Sequence, residues 1–238
     1  MKEYLGEKSK VYQQTRGKRF ILIPAIKRRL KNVKSGGKFL DVGCGNGDFY
    51  ILAAAKKMQY YGLDKSVDMI ARAKAEYSKG HYIVSSAINF ANHYKEKFDV
   101  ILLSMILPCV ATRREMVKVL VECKKVLKKD GKIIIGEPYP AFDGYMQFGL
   151  FGKQGVKTDF KGYFASGTNV SVSHKTVNGD LTFNDRHWTL TDYFKSIQEA
   201  GLKLTGLDEC PPGHEAEEYP DFYHERSKFP TYIVLICN

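Results

Sequence analysis

The chain has 238 residues, of which 44% are apolar and 26% charged, and its formal net charge is +11. This balance is typical of a globular protein and excludes a disordered chain. The longest apolar stretch, residues 100–107, is interrupted by Ser104 and falls far short of the roughly 20 residues that a membrane-spanning helix needs.

The cysteines and the first residues indicate the setting in which the protein works. Five cysteines are scattered along the chain without a C-x-x-C pair, so no disulfide framework is predicted. No histidine or cysteine cluster has the spacing of metal ligands, so no metal site is predicted either. The charged first ten residues are unlike a secretory signal peptide. A reducing, cytoplasmic setting fits these features best.

Nearly all of the excess positive charge lies in residues 1–38, which hold 12 basic and two acidic residues. Apolar residues recur at near-helical spacing over residues 20–33, which predicts an amphipathic helix with a solvated basic face. A basic segment of this kind also suits a phosphate-bearing partner such as RNA. We therefore expect an N-terminal helical segment, 1–37, followed by one main domain, 38–238.

Short apolar runs alternate with helical periodicity from residue 38 onwards. This alternation predicts an α/β fold with a doubly wound sheet. The predicted strands are 38–42, 60–63, 81–84, 98–104 and 132–135, and the predicted helices are 48–58, 66–77 and 112–127.

The alternation breaks after residue 138, and we expect an insert over residues 139–188. Its first part, 139–164, holds eight aromatic residues and five glycines and is too irregular for a regular element. Two alternating stretches around Asn178-Gly179 then predict a β-hairpin. Thr191 is predicted to cap a helix that ends at Ala200. The last predicted strands are 202–207 and 231–236.

A glycine-rich loop follows the first predicted strand, where residues 41–47 read DVGCGNG. Glycines at this point let a ligand approach the backbone and the helix N-terminus. Asp64 ends the second strand, where a carboxylate can accept hydrogen bonds from ribose hydroxyls. The dinucleotide fingerprint would need a glycine at position 48, which is Asp48. Asp41, just before the glycines, suits an amino-bearing ligand, so these residues predict a nucleoside cofactor that carries an amino group.

With these motifs the chain resembles the class I S-adenosylmethionine-dependent methyltransferases, in particular small-molecule members of the quinone-biosynthesis group. The resemblance rests on FLDVGCGNG at residues 39–47, GLDKSVDMI at 62–70, FDVI at 98–101 and VLKKDGKI at 126–133. It implies a Rossmann-like seven-stranded sheet whose last strand is antiparallel. It also implies S-adenosylmethionine as the cofactor and S-adenosylhomocysteine as the product.

The resemblance further implies where the cofactor lies. Gly43 and Gly45 would pass under its methionine part, Asp41 would lie near its amino group, and Asp64 would bind the ribose. Ser86 stands where related proteins often carry an acid that meets the adenine. The whole predicted cofactor-binding set is Asp41, Gly43, Cys44, Gly45, Asp64, Lys65, Met69, Ser86, Ala87, Ser104 and Met105.

The predicted function is methyl transfer to an O, N or C nucleophile of a small, aromatic or apolar molecule. An RNA methyltransferase that uses the basic segment is the alternative, and a non-catalytic cofactor-binding module is a third interpretation. His187 and Glu137 are candidate general bases, because both fall at the C-terminal edge of the predicted sheet. Each could equally make a structural hydrogen bond.

The methyl acceptor is expected to meet the aromatic insert and the N-terminal segment, which the resemblance makes a lid over the site. Aromatic side chains surround flat or apolar molecules well. They could equally form a small core of the insert itself. The predicted substrate-binding residues are Tyr12, Arg16, Tyr139, Phe148 and Trp188.

Overall fold

The computed structural model describes residues 16–141, 157–158, 160–176 and 179–238, with the backbone alone for the strand residues 157–158, 172–176 and 179–183. Two of the predicted substrate-binding residues, Tyr12 and Phe148, lie outside the described residues. Among the described residues, no helix is long and apolar enough to cross a membrane.

The strands are β1 (Lys38–Val42), β2 (Gln59–Asp64), β3 (His81–Val84), β4 (Phe98–Ser104), β5 (Leu127–Pro138), β6 (Lys157–Thr158), β7 (Asn169–Thr176), β8 (Gly179–Arg186), β9 (Leu204–Glu209) and β10 (Tyr232–Cys237). Seven of them form the main sheet, with the spatial order β3-β2-β1-β4-β5-β10-β9. β10 is antiparallel to both of its neighbours, and the strand pairs from β3 to β5 are parallel. The predicted Rossmann-like sheet with an antiparallel last strand is therefore confirmed. Three further strands, β6 to β8, form a small separate sheet.

Helices cover both faces of the main sheet. They are α1 (Ile23–Lys31), α2 (Tyr50–Ala55), α3 (Val67–Glu76), α4 (Arg113–Val126), α5 (Leu190–Glu199) and α6 (Pro220–Ser227), and a π-helical turn, Lys18–Leu22, leads into α1. Apolar residues of α1, α2 and α3 share one buried cluster, and those of α4 and α5 share the other. The strands in between are buried on both sides, as expected for a parallel sheet.

The basic N-terminal helix packs its apolar face on the sheet. Leu22 and Ile26 are buried and lie so close to Gly136 of β5 that a side chain there would come within 2.9 Å of Leu22 Cδ1. On the polar face of this helix, the Arg29 guanidinium forms an ion pair with Asp208 of the edge strand β9. The predicted amphipathic helix is thus present, and part of its charge is neutralised within the protein.

Among the predicted boundaries that differ from the structure, two have identifiable reasons. The helix expected to end at Met58 ends at Ala55, and Lys57, with a φ of +53°, turns the chain into β2. β5 runs from Leu127 and not from Lys132, because the residues between these two bulge out of the ladder with β4 while the strand continues.

The insert contains the predicted hairpin, which is formed by β7 and β8, but its turn differs from the prediction. Gly179 belongs to the ladder, paired with Thr176, so it does not form the turn.

Helix α5 is capped by Thr189 and not by Thr191. The Thr189 hydroxyl accepts from the Asp192 amide, and the Asp192 carboxylate accepts from the Thr189 amide. This reciprocal capping box fixes where the helix begins.

Candidate functional site

The glycine loop turns sharply out of β1 and leaves one face open. The amides of Gly43 and Cys44 both donate to the carbonyl of Leu63, at 2.8 and 2.9 Å, which anchors the loop on β2. Gly45 has a φ of +54°, and a side chain there would meet nothing within 4 Å. The loop therefore presents bare backbone to the space above the sheet, where a ligand can lie against it.

Asp64 ends β2 directly beside this loop. Its Oδ2 accepts from the Gly45 amide at 3.0 Å, and its Oδ1 accepts from the Ser66 amide at 2.8 Å. Burial raises the pKa of Asp64, and these two amides act against that rise. Each carboxylate oxygen keeps a second lone pair, so the group can accept hydrogen bonds from a neighbouring diol.

Asp41 lies beneath the loop and is only 1% exposed. Its Oδ2 accepts from the Tyr60 hydroxyl at 2.7 Å, and its Oδ1 has no partner among the described residues. Burial raises the pKa of Asp41 to about 7, with the nearby Lys18 ammonium acting in the opposite direction. A buried acceptor of this kind is suited to a cationic or amino group of a ligand.

The glycine loop forms one wall of the site, and the end of β2 at Asp64 forms a second. The third wall follows β4. The Ser104 hydroxyl is buried at the strand end without a partner in the described part of the chain. Met105 adopts a φ of +58°, which is rare for a residue with a side chain, and its amide donates to the Gly136 carbonyl at 2.9 Å. The chain thus turns abruptly here, and strained positions of this kind cluster at functional sites.

These three walls border an open cleft of about 260 Å³ at the carboxyl edge of the sheet. This is the edge where α/β proteins bind their ligands. Asp41 does not line the cleft, and it lies directly beneath the loop. The other predicted cofactor-binding residues all line it, namely Gly43, Cys44, Gly45, Asp64, Lys65, Met69, Ser86, Ala87, Ser104 and Met105.

Sequence reasoning missed several residues of the cleft, of which Lys18 is the most informative. Its ammonium lies 2.7 Å from Asp48 Oδ2, its side chain is 13% exposed, and it lines the cleft. Cys109, Val110 and Glu115 also line the cleft. The basic segment contains many similar residues, so only the packing of the helix singles out Lys18.

The structure separates His187 and Trp188 from the cleft. His187 is 1% exposed, and its Nε2 lies 2.7 Å from the Tyr163 carbonyl oxygen. The Trp188 ring belongs to the buried core, and its indole N–H donates to the Leu107 carbonyl at 3.1 Å. These contacts correspond to structural hydrogen bonds, because neither side chain reaches the cleft.

The remaining predicted acceptor-side residues among the described ones do not line the cleft either. Glu137 is fully buried behind that wall, and burial raises its pKa well above the ordinary range. Tyr139 contacts Phe229, and Arg16 lies over the ring of Tyr219, 4.6 Å from its centroid. The structure therefore unites the predicted cofactor residues and does not bring the described acceptor-side residues to them.

Neither a disulfide bond nor a metal-binding cluster is found among the described residues. All five cysteines are free thiols. Within the described ranges, no group of three or more His, Cys, Asp or Glu residues is arranged to hold a metal ion.

The sheet topology and the glycine-loop cleft define the class I S-adenosylmethionine-dependent methyltransferases. The chain belongs to the methyltransferase domain family, whose model matches residues 33–191. It is 34% identical over 105 residues to demethylmenaquinone methyltransferase of Thermotoga maritima. That match covers 43% of this chain and 44% of the relative, so the chain aligns with less than half of that protein.

Solved structures agree with the fold. A Listeria monocytogenes protein assigned to the S-adenosylmethionine-dependent methyltransferases superimposes with a TM-score of 0.65 at 21% identity, covering 90% of this chain and 94% of that one. A methyltransferase of the same class from Mesorhizobium loti gives 0.64 at 17% identity, covering 90% and 95%. At these identities the likeness establishes the fold alone.

Proposed function

We propose that this protein transfers the methyl group of S-adenosylmethionine to an O, N or C nucleophile of a small, aromatic or apolar molecule. One observation carries the proposal: a cleft at the carboxyl edge of the sheet joins a bare glycine loop, Asp64 and the Ser104 strand end. Oδ1 of Asp41, which has no partner among the described residues, lies beneath the loop and fits the amino group of the cofactor.

The charges around the cleft set the orientation of the cofactor in this proposal. The ammonium of Lys18 faces the cofactor carboxylate, while the carboxylate of Asp41 faces its amino group from below. Asp64 accepts hydrogen bonds from the ribose hydroxyls. Ser86 and Ala87, after β3, lie beside the adenine, and the Ser86 hydroxyl replaces the acid that related proteins often have there. Opposite charges at the two ends of one amino acid moiety would oppose a reversed orientation.

The bound cofactor supplies an activated methyl group on a sulfonium centre. The chain's own contribution is to hold that centre over Ser104 and Met105 and to keep water away from it. Orientation of two reactants can lower a barrier by about 7–11 kcal/mol, so alignment accounts for much of the expected catalysis. An O or N acceptor must also lose a proton, and His187 is too deeply buried behind the wall to accept it directly.

A small acceptor is supported by two features. The relative that is 34% identical over 105 residues is, by its name, a demethylmenaquinone methyltransferase. The cleft is also lined by the apolar side chains of Ile106 and Val110, against which an apolar acceptor could pack. The RNA alternative draws its support from the basic N-terminal segment, but Arg29 and Lys18 of that segment are paired with Asp208 and Asp48.

The first test follows the fate of the methyl group. Purified protein is incubated with methyl-labelled S-adenosylmethionine and a cell extract freed of protein. We expect the label in organic-extractable small molecules. Label in ribonuclease-sensitive material would instead establish the RNA alternative, and RNA affinity would then fall steeply with salt. A protein that binds no S-adenosylmethionine in calorimetry would refute both.

The raised pKa of Asp41 predicts a pH dependence of cofactor binding. The amino group of the cofactor favours the ionised carboxylate, so binding must remove the proton that Asp41 holds below its pKa of about 7. Affinity is therefore expected to rise with pH up to about 7 and then to level off. Calorimetry with S-adenosylhomocysteine in two buffers of different ionisation enthalpy measures the released proton.

The variant Asp41→Asn is the control for this effect. The asparagine side chain has no proton to release near neutral pH, so the pH dependence that comes from Asp41 should disappear. Asp64, whose pKa is also raised by burial, contributes a change of the same sign. An unchanged pH dependence in the variant would show that Asp41 does not face the amino group.

A further inference from the structure

The cleft wall that follows β4 is held by two residues that lie behind it. Oε1 of Glu137 accepts from the amides of Ile106, at 3.2 Å, and Leu107, at 3.0 Å. From the other side, the indole N–H of Trp188 donates to the Leu107 carbonyl at 3.1 Å. The amide and the carbonyl of Leu107 are therefore both hydrogen-bonded to side chains that are fully or almost fully buried.

The segment held in this way is the part of the wall with the least favourable backbone. Met105 lies in the left-handed region, and Met105, Ile106 and Cys109 all line the cleft. A residue with a side chain stays in that conformation only where its surroundings fix it. The bonds from Glu137 and Trp188 come immediately after Met105, so they act on the point where the wall would otherwise relax.

We propose that Glu137 and Trp188 are positioning residues that fix the wall formed by residues 105–109 against the cofactor. This inference rests on the proposed function, because it assigns the pair to the cleft in which the cofactor binds. Both residues were candidates for direct contact with the reactants on sequence grounds. The geometry gives them an indirect role, in which a preformed wall avoids the entropy cost of ordering it on binding.

The chemistry of Glu137 agrees with positioning. Oε1 is engaged by two backbone amides, and Oε2 has no partner among the described residues. The acceptor role of Oε1 needs no negative charge, and the high pKa caused by burial is compatible with a neutral group. A glutamine keeps an acceptor oxygen of the same reach. Glutamine should therefore replace Glu137 in this role, whereas leucine should not.

The experiment measures the Kd of S-adenosylhomocysteine by calorimetry and the Tm of each variant. We expect Glu137→Leu to weaken binding by about tenfold or more, because the wall is no longer preformed. Glu137→Gln should stay within about threefold of the wild type, and Trp188→Phe, which removes one bond, should weaken binding about threefold or more. Ile197→Ala, on the buried face of α5, is the control: it lowers the Tm and removes no hydrogen bond to the wall.

The outcomes separate the possible failures. Wild-type affinity in folded Glu137→Leu, or affinity in Glu137→Gln as weak as in the leucine variant, would overturn the inference. If the leucine variant does not fold, wild-type affinity in Trp188→Phe overturns it instead. A fall in affinity for Ile197→Ala equal to that of the other variants would show a mere stability effect. Failure of the wild type to bind S-adenosylhomocysteine refutes the proposed function before any variant is compared.

Discussion

Replacing Gly45 with alanine is expected to weaken cofactor binding strongly while leaving the protein folded. The backbone at Gly45 has a φ of +54°, where a side chain costs about 1–2 kcal/mol. The added methyl group would meet no protein atom within 4 Å and would project into the open cleft. That space is where the cofactor passes over the loop in the proposed function. We expect the Kd of S-adenosylhomocysteine, measured by calorimetry, to rise about 100-fold or more, since the ligand must move off the loop.

Gly36 offers a closely matched control for this variant. It has a φ of +81°, and a side chain there would also meet nothing within 4 Å, but it lies in the turn before β1, away from the cleft. Gly36→Ala should therefore lose a similar free energy of unfolding and keep wild-type affinity. Equal losses of affinity in the two variants would trace the effect to backbone strain, and unchanged affinity in Gly45→Ala would remove the loop from the site.

The residues around the cleft could be predicted to lie together because they follow strand ends within short stretches of sequence. Gly43, Asp64 and Ser104 each come at or just after the end of a strand that the sequence identifies. Parallel strands bring their carboxyl ends to one edge, so the three walls must meet there. The structure confirms the strands and shows these residues around one cleft.

The acceptor half could not be predicted in the same way. Trp188 lies 81 residues beyond Leu107, and no local pattern reveals that its indole group bonds to that carbonyl. His187 has the same sequence context as a catalytic base and is buried nevertheless. The packing of the helical turn before α1 brings Lys18, and not another described basic residue of the segment, to the cleft. Its role could therefore be recognised only from the structure. Long-range packing decided these cases, and periodicity carries no information about it.

The second large effect is expected at Asp64. Its carboxylate holds the amides of Gly45 and Ser66, and in the proposed function it also accepts from the ribose hydroxyls. Hydrogen bonds to a charged group contribute about 1.5–3 kcal/mol each, so Asp64→Ala loses both the ligand contacts and the anchor of the loop. We expect the Kd of S-adenosylhomocysteine in calorimetry to rise about 100-fold or more, because about 1.4 kcal/mol corresponds to a factor of ten.

Two companion variants separate the causes of that loss. Asp64→Asn keeps one acceptor oxygen and should give an intermediate loss of about tenfold, because one carbonyl cannot serve two amides and a diol. Glu76→Ala removes an exposed carboxylate from the end of α3 and should bind like the wild type. If Asp64→Ala bound S-adenosylhomocysteine as tightly as Glu76→Ala, the ribose would not lie beside β2. The nucleoside end of the cofactor would then have to be sought elsewhere in the cleft.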